Sequence, residues 1–334
     1  MRKSLSIICI VALTTSNFII AETFKIAFGS CLHQNLPQPI WHSIKKENID
    51  SFIFLGDNIY GDMPSGKLTK MKKAYIQQKK IMPDWLYEKD INMIWDDHDY
   101  GMDNGGSSYP FKEQAKEMYL NFWNIPNNDS RRTRDGIYTS KIIDVDGFKL
   151  NIIMLDTRYF RSTLDRSTGN APFYKKNLDP NSTILGKKQW DWLEMVVSQE
   201  SDLIILATSI QLLATSHRFE KWSNFPHEHK KIKELLKNLD TPSLIISGDR
   251  HQGAVYKEDN LIEVTSSSLN KPLSKSKFIG RPKEIDNAMI GEMYRGENFG
   301  LITIDTKNKK YVIELKDING KQVTQIAISK KDFL

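Results

Sequence analysis

Short apolar segments rich in β-branched residues recur along the chain, and each ends in a polar or glycine-containing turn. These runs cover residues 24–31, 51–58, 91–99, 150–158, 202–211, 243–252, 261–267, 299–305 and 310–317. Nearly continuous apolar runs of this length are typical of strands buried on both faces of a sheet. The pattern therefore predicts buried strands at these positions.

Segments that mix charged and apolar residues at helical spacing lie between several of these runs. They cover residues 38–48, 67–80, 112–123, 187–199 and 228–238. Strands that alternate with helices predict a layered α/β fold. The strand-rich stretch from residue 261 onwards predicts a second sheet or an antiparallel extension, and residues 162–184 read as a polar loop.

The N-terminal segment has the composition of a secretory signal peptide. Arg2 and Lys3 precede an apolar stretch that runs to Ile20, and Ala21 offers a small residue for cleavage. The polar residues at 14–17 disfavour an uncleaved membrane anchor. We therefore expect a signal peptide over residues 1–21, one domain over 22–334, a periplasmic or secreted location, and no membrane span in the mature chain.

The charge and the cysteines narrow the interpretation further. The formal charge of +6 falls to +4 when the leader removes Arg2 and Lys3, and the clustered lysines at 70–73 and 79–80 favour a solvated helix face over specific nucleic-acid binding. Of the two cysteines, Cys9 lies in the leader, so the mature chain keeps only Cys31. A lone exported thiol is either buried and inert or a metal ligand.

Side chains suited to catalysis follow five of the apolar runs. They are Cys31, Asp57, Asp97 with His98, Arg158, and Asp249 with His251. Each residue alone has an ordinary explanation, such as capping a turn. Because the carboxyl ends of strands in layered α/β folds converge on a ligand-binding crevice, their shared placement predicts one site.

Five motifs carry a family resemblance. "GSCLHQ" (29–34), "FLGDNIYGD" (54–62), "WDDHDYGMDN" (95–104), "LDTR" (155–158) and "SGDRH" (247–251) resemble, in the same order, those of the alkaline phosphatase D (PhoD-like) family of calcineurin-like metallophosphoesterases. The resemblance covers nearly all of the mature chain. It implies a four-layer α/β/β/α sandwich with mixed sheets and an exported phosphoric ester hydrolase that uses a metal-bound hydroxide at a binuclear site.

The resemblance also implies the metal ligands. Asp57 would bridge two metal ions. The first, Fe³⁺, would be held by Cys31, Asp57, Tyr60 and His251, and the second, Ca²⁺, by Asp57, Asp97 and Asp249. Thiolate, phenolate and imidazole suit a transition metal, whereas carboxylates suit a hard cation such as Ca²⁺. Zn²⁺, Mn²⁺ and Mg²⁺ are the alternative occupants.

Catalytic and substrate-binding roles follow in the same way. His98 would stabilise the transferring phosphoryl group or protonate the leaving oxygen, with Asp99 orienting its ring. Arg158 would bind phosphate oxygens in a bidentate manner, and an ion pair with Asp156 is the alternative. Asn104 would either support the site through hydrogen bonds or contact the substrate.

Several points stay open on the sequence alone. Gln211 and His217 are the two candidates for the lone histidine of the superfamily's fourth motif, and His33 is a possible ligand ranked below Cys31. Small phosphate monoesters and phospholipid or polymer phosphodiesters, cleaved in phospholipase D fashion, are both candidate substrates. A non-catalytic metal-binding surface protein is disfavoured because His98 and Asp57 are both present. We expect a monomer.

Overall fold

The computed structural model describes residues 23–168, 173–273, 284–329 and 332. The predicted signal peptide and Cys9 lie outside the described residues. Within these ranges, no helix combines the length and the apolar character needed to cross a membrane.

Two mixed β-sheets form the centre of the fold. The first has the strand order β13-β12-β11-β1-β2-β3 and the second the order β10-β8-β9-β7-β6-β5-β4. The strands of the first sheet are β1 (Thr23–Gly29), β2 (Ser51–Leu55), β3 (Asp90–Ile94), β11 (Asn298–Asp305), β12 (Lys310–Asp317) and β13 (Gln322–Ser329). Those of the second are β4 (Thr139–Val145), β5 (Phe148–Met154), β6 (Leu203–Thr208), β7 (Ser243–Ser247), β8 (Gly253–Glu258), β9 (Leu261–Ser266) and β10 (Met289–Tyr294).

Helices cover the outer face of each sheet. They are α1 (Ile40–Lys46), α2 (Met71–Ile81), α3 (Asp97–Tyr100), α4 (Lys112–Phe122), α5 (Gly186–Val197) and α6 (Pro226–Lys237), with 3₁₀ turns at Asp84–Glu88, Ser130–Arg132 and Trp222–Asn224. Trp41 of α1 and Tyr119 of α4 pack with Phe52 and Phe54 on the first sheet. On the second sheet, Leu193 of α5 and Ile232 of α6 share a core with Ile204 and Ile245, among others.

A third core lies between the two sheets. Alternate residues of β1, β2 and β3 face alternate residues of β5, β6 and β7, as the two-residue period of a strand requires. The predicted four-layer α/β/β/α architecture is therefore confirmed. All nine predicted strands and all five predicted helices are present, with boundaries shifted by a few residues.

The strands that the pattern did not indicate are β4, β8, β10 and β13. Three of them lie at sheet edges, where one side of the strand faces solvent. All seven residues of β4 are exposed or only partly buried, and polar residues interrupt the strand, so β4 lacks a continuous apolar run. Burial on both faces was the signal used, and edge strands do not carry it.

Backbone contacts at the ends of β1 and β9 join the two sheets. The Ser30 N–H donates to the Ser266 carbonyl over 3.1 Å between the sheets, and within the first sheet the Cys31 N–H donates to the Gly56 carbonyl over 3.3 Å. Gly248, which follows β7, lies so close that a Cβ there would stand 2.8 Å from the Leu55 carbonyl oxygen. The turns after these strands consequently meet at one edge of the sandwich.

Candidate metal centre

Several candidate residues adopt a backbone conformation that non-glycine residues rarely use. Cys31, Asp57, Asp249 and His251 have φ values of 58°, 52°, 68° and 55°. The left-handed region is costly for residues that carry a Cβ, and such strain persists where the surroundings enforce it. The sharp turn at each position directs a polar side chain towards the edge where the two sheets meet.

Cys31, Asp57 and His251 form the first compact group of possible metal ligands. Their ligand atoms all lie within 4.8 Å of one another. The Cys31 thiol is fully buried and lies 3.5 Å from Asp57 Oδ2 and 3.2 Å from the Ser267 hydroxyl. Burial is the largest influence on the pKa of this thiol and raises it. A cation bound at the group would oppose that shift and favour the thiolate.

Tyr60 lies beside this group and is fixed by Gln34. The Gln34 amide donates to the Tyr60 carbonyl over 2.9 Å and accepts from the Tyr60 N–H over 2.8 Å. The Tyr60 hydroxyl donates to Asp57 Oδ2 over 3.0 Å. The phenol oxygen is thus held against the same carboxylate oxygen as the Cys31 thiol.

His251 has one ring nitrogen engaged. Its Nδ1 contacts the Lys271 carbonyl oxygen at 2.5 Å, which fixes the proton on that nitrogen. The other nitrogen, Nε2, is then left with its lone pair available, as a metal-ligating histidine requires. Burial lowers the pKa of His251 to about 4, which keeps the ring neutral.

Asp57, Asp97 and His98 form the second compact group, so Asp57 is common to both. One oxygen of Asp97 accepts a hydrogen bond from the Asn104 N–H over 2.8 Å. The other, Oδ1, is buried without a hydrogen-bond partner among the described residues, and His98 Nε2 lies 3.9 Å from it. A buried carboxylate oxygen without a partner is costly unless a cation approaches it.

The ring of His98 is oriented by Asp62 rather than by the expected Asp99. His98 Nδ1 lies 2.6 Å from Asp62 Oδ1. Asp99 is instead buried below the turn, where its carboxylate accepts hydrogen bonds from the backbone N–H groups of Asp96, Asn58 and Ile59. The reason is the short helix α3, which directs adjacent side chains to different sides.

The closely spaced carboxylates of the site shift the pKa values of their neighbours. Burial alone would lower the pKa of His98, but the Asp97 and Asp57 carboxylates raise it well above its usual value. Burial would raise the pKa of Asp97, but His98 and Arg158 bring it down to about 2. The pKa of Asp249 is raised to about 6 by burial and then by Asp97. Asp97 thus provides the most persistent negative charge.

Arg158 is buried inside the protein rather than open to a substrate. Its guanidinium is 0% exposed, with Nε 2.6 Å from Asp96 Oδ1 and Nη1 2.5 Å from Glu220 Oε2. Glu220 also pairs with Arg161 at 2.7 Å. Asp156 bonds the backbone N–H of Arg158 and not its guanidinium, so neither expected role describes this side chain. The Arg158 guanidinium is thus paired with two carboxylates, Asp96 and Glu220, inside the fold.

Replacing Arg158 with Ala is expected to destabilise the fold by about 3–5 kcal/mol, because Asp96 and Glu220 would remain buried without a compensating charge. Urea denaturation followed by circular dichroism measures this loss. Arg166→Ala, in the polar loop, serves as the control and should leave the midpoint unchanged. If Arg158→Ala kept the denaturation midpoint of the wild type and raised the KM for a phosphate ester, Arg158 would instead be a substrate-binding residue.

The remaining candidates lie outside both compact groups. Asp249 is close enough to Asp97 to feel its charge, whereas Gln211 donates to Thr265 Oγ1 over 2.7 Å. His217 is buried and lies near Arg250 and Lys221, and neither ring nitrogen has a hydrogen-bond partner within the described part of the chain. His33 stacks on Tyr60 with ring centroids 5.0 Å apart. Which residue serves as the fourth-motif ligand stays a prediction.

Three residues of the site were not assigned from the sequence. Asp62 ends a quoted motif, but nothing in the pattern pairs it with His98. Ser267 contacts the Cys31 thiol and accepts from the His251 N–H over 2.8 Å. Lys271 places its ammonium 3.3 Å from the centroid of the Tyr60 ring. The available signal was the polar stretch at 266–270, which follows a buried strand as the other motifs do.

More than half of the chain matches the sequence model of one protein family. The model of the PhoD-like phosphatases matches residues 91–315. The chain belongs to the PhoD-like phosphatase family. A curated member, alkaline phosphatase D of Bacillus subtilis (strain 168), is 23% identical over 290 residues, a match that covers 73% of this chain and 48% of that protein. The chain thus spans about half the length of this relative.

Solved structures agree with the family at the level of the fold. The structure of PhoD is 17% identical and matches with a TM-score of 0.67, covering 92% of this chain and 68% of that chain. GAP50, the anchor in the inner membrane complex of Plasmodium, is 12% identical and matches with a TM-score of 0.61 over 92% of this chain and 89% of its own. The sandwich is common to all three.

The donor atoms of this PhoD-like site fit metal ions. The first group offers a thiol, a carboxylate and an imidazole beside a phenol, which together suit a transition metal. The second is richer in carboxylate oxygen, which suits a hard cation. Among the described residues, Asp97 Oδ1 has no hydrogen-bond donor and His251 Nε2 keeps its lone pair, so both atoms can bind such an ion.

Proposed function

We propose that this chain is an exported, metal-dependent phosphoric ester hydrolase, a PhoD-like alkaline phosphatase. The observation that carries the proposal is the sharing of Asp57 by two groups of ligands. One carboxylate between two such groups is the arrangement that holds two cations close enough to act on one phosphoryl group. The family membership and the predicted leader support hydrolysis and export respectively.

The proposed occupants are Fe³⁺ and Ca²⁺. Cys31, Asp57, Tyr60 and His251 would hold the iron, and Asp57, Asp97 and Asp249 the calcium. When bound, such a pair supplies a water nucleophile of lowered pKa and neutralises phosphoryl charge. Zn²⁺, Mn²⁺ and Mg²⁺ are the alternative occupants, and metal analysis of the purified protein distinguishes them from Fe³⁺ and Ca²⁺.

His98 is the proposed general acid. Its Nδ1 is held by Asp62, so Nε2 is directed into the site and can donate a proton to the leaving oxygen. Asp62 stabilises the protonated ring and fixes its orientation. Asn104 positions Asp97 through its backbone N–H, which makes support of the site its proposed role.

Small phosphate monoesters are the proposed substrates, and phosphodiesters of phospholipids or polymers are the alternative at the same site. Rates on p-nitrophenyl phosphate and bis-p-nitrophenyl phosphate, measured with metal analysis of the mature protein, decide between them. Faster turnover of the diester would replace the first substrate class by the second. Absence of turnover with both, at full metal content, would contradict the hydrolase proposal.

Replacing Tyr60 with Phe is expected to remove a visible charge-transfer absorption of the purified protein, because phenolate bound to ferric iron is its source. The absorption spectrum and the iron content measure the result. Tyr87→Phe, at an exposed tyrosine, should keep the colour. A wild-type protein that is colourless and free of iron would contradict the iron assignment and leave the hydrolase proposal standing.

A further inference from the structure

Lys271 lies in the turn that follows β9, and the backbone of this turn is held from three sides. The Leu269 N–H donates to the Ser30 carbonyl over 2.9 Å. The Asn270 side chain accepts from the His33 N–H over 2.6 Å and donates to the His33 carbonyl over 2.9 Å. The Lys271 carbonyl contacts His251 Nδ1. The position of Lys271 is therefore fixed relative to the ligands.

The Lys271 ammonium lies over the face of Tyr60, 3.3 Å from the ring centroid. The side chain is half-buried, and burial lowers the pKa of Lys271 while the carboxylate of Asp57 opposes this shift. Among the described residues, no oxygen accepts a hydrogen bond from the ammonium. A cation–π contact satisfies the charge only partly and leaves the N–H donors available.

The other cations near the site are engaged. Arg158 and Arg161 are buried against Glu220. The guanidinium of Arg250 donates to Glu284 Oε2 over 2.7 Å. His98 has a different proposed task, because it is paired with Asp62. Among the described residues of the site, Lys271 is thus a half-buried cation whose ammonium N–H groups have no hydrogen-bond acceptor in the protein.

We infer that Lys271 binds a non-bridging oxygen of the phosphoryl group and so favours phosphate monoesters. This inference rests on the proposed function. Lysine acts as a point charge towards phosphate, and an ammonium gains more from a dianionic monoester than from a monoanionic diester. Lys271 therefore replaces Arg158 as the residue that recognises substrate charge. Its contact with Tyr60 keeps the ammonium in place before substrate arrives.

The test uses the mature, metal-loaded enzyme with Lys271→Met, which keeps the length of the side chain and removes the charge. KM for p-nitrophenyl phosphate and the inhibition constant of inorganic phosphate are expected to rise about 10- to 100-fold, as for loss of one charged hydrogen bond. The KM for bis-p-nitrophenyl phosphate should rise less. Lys271→Arg should recover part of the loss, and Lys73→Met, at an exposed lysine of α2, should behave as wild type.

Metal content and the visible spectrum separate this role from a structural one. Both should be unchanged in Lys271→Met. An altered spectrum or metal content with an unchanged inhibition constant would mean that Lys271 serves Tyr60 and would overturn the inference, as would a variant identical to wild type in every measurement.

The inference can also be judged if the proposed function fails. Should the wild type hydrolyse neither ester, titration calorimetry with inorganic phosphate decides. Weaker binding by Lys271→Met than by wild type supports the inference without turnover. Equal binding, or no binding by either protein, overturns it.

Discussion

Asp57→Asn is expected to lower hydrolysis by about 10⁴-fold, the largest effect of any single substitution in this chain. The carboxylate of Asp57 belongs to both ligand groups, so an amide in its place weakens both at once. Two cations provide several kcal/mol of transition-state stabilisation, and about 5.5 kcal/mol corresponds to this factor. Elemental analysis should show that both metal ions are reduced, and not one.

The same substitution should not unfold the protein. Burial raises the pKa of Asp57 well above its usual value, so the carboxylate by itself is an electrostatic cost to the fold. Circular dichroism and denaturation in the presence of a chelator measure this. Asp84→Asn, at an exposed acid, provides the matched control. Full activity and full metal content in Asp57→Asn would contradict the assignment of the site.

His98→Ala is expected to lower kcat by about 10²- to 10⁴-fold, the usual contribution of a positioned acid. Metal content should be retained, because Asp57, Asp97 and Asp249 hold the second cation in this proposal and the imidazole of His98 acts on the leaving group. The loss should be smaller for a substrate such as p-nitrophenyl phosphate, whose leaving group needs little protonation, than for an alkyl phosphate. Equal losses for the two would contradict the role of general acid.

Two nearby acids sharpen this experiment. Asp62→Asn should lower kcat about 10- to 100-fold, because the ring of His98 loses its charged partner. Asp99→Asn should mainly reduce stability, by about 1–3 kcal/mol, since its carboxylate satisfies backbone N–H groups. A loss of kcat in Asp99→Asn, with kcat unchanged in Asp62→Asn, would instead assign the orienting role to Asp99.

The sequence was sufficient for the layers and for bringing the candidate ligands to one edge of the sandwich. Buried strands carry their own signal, and polar residues at their ends are local to that signal, as with Asp57 after β2 and Asp97 after β3. The pairing of His98 with Asp62 depends on how a loop returns to the site, which spacing does not specify. The guanidinium of Arg158 turns inward because Glu220, 62 residues away, offers a buried partner.

The position of Lys271 in the site also could not be predicted from the sequence. Its residue type is common in this chain, so nothing in its neighbourhood distinguishes it from solvated lysines such as Lys73. The Leu269, Asn270 and His251 contacts bring it to the face of Tyr60. Long-range contacts of this kind determine which of many similar cations faces a ligand.

The proposed ligands come from both sheets: Cys31 follows β1 and Asp57 follows β2 of the first, whereas His251 follows β7 of the second. A cation held by all three would act as a cross-link between the halves of the sandwich. By mass action, its free concentration then becomes part of the folding equilibrium, with about 1.4 kcal/mol for each tenfold excess over its dissociation constant. The supply of metal in the compartment where the chain folds would thus set how firmly the two sheets stay together.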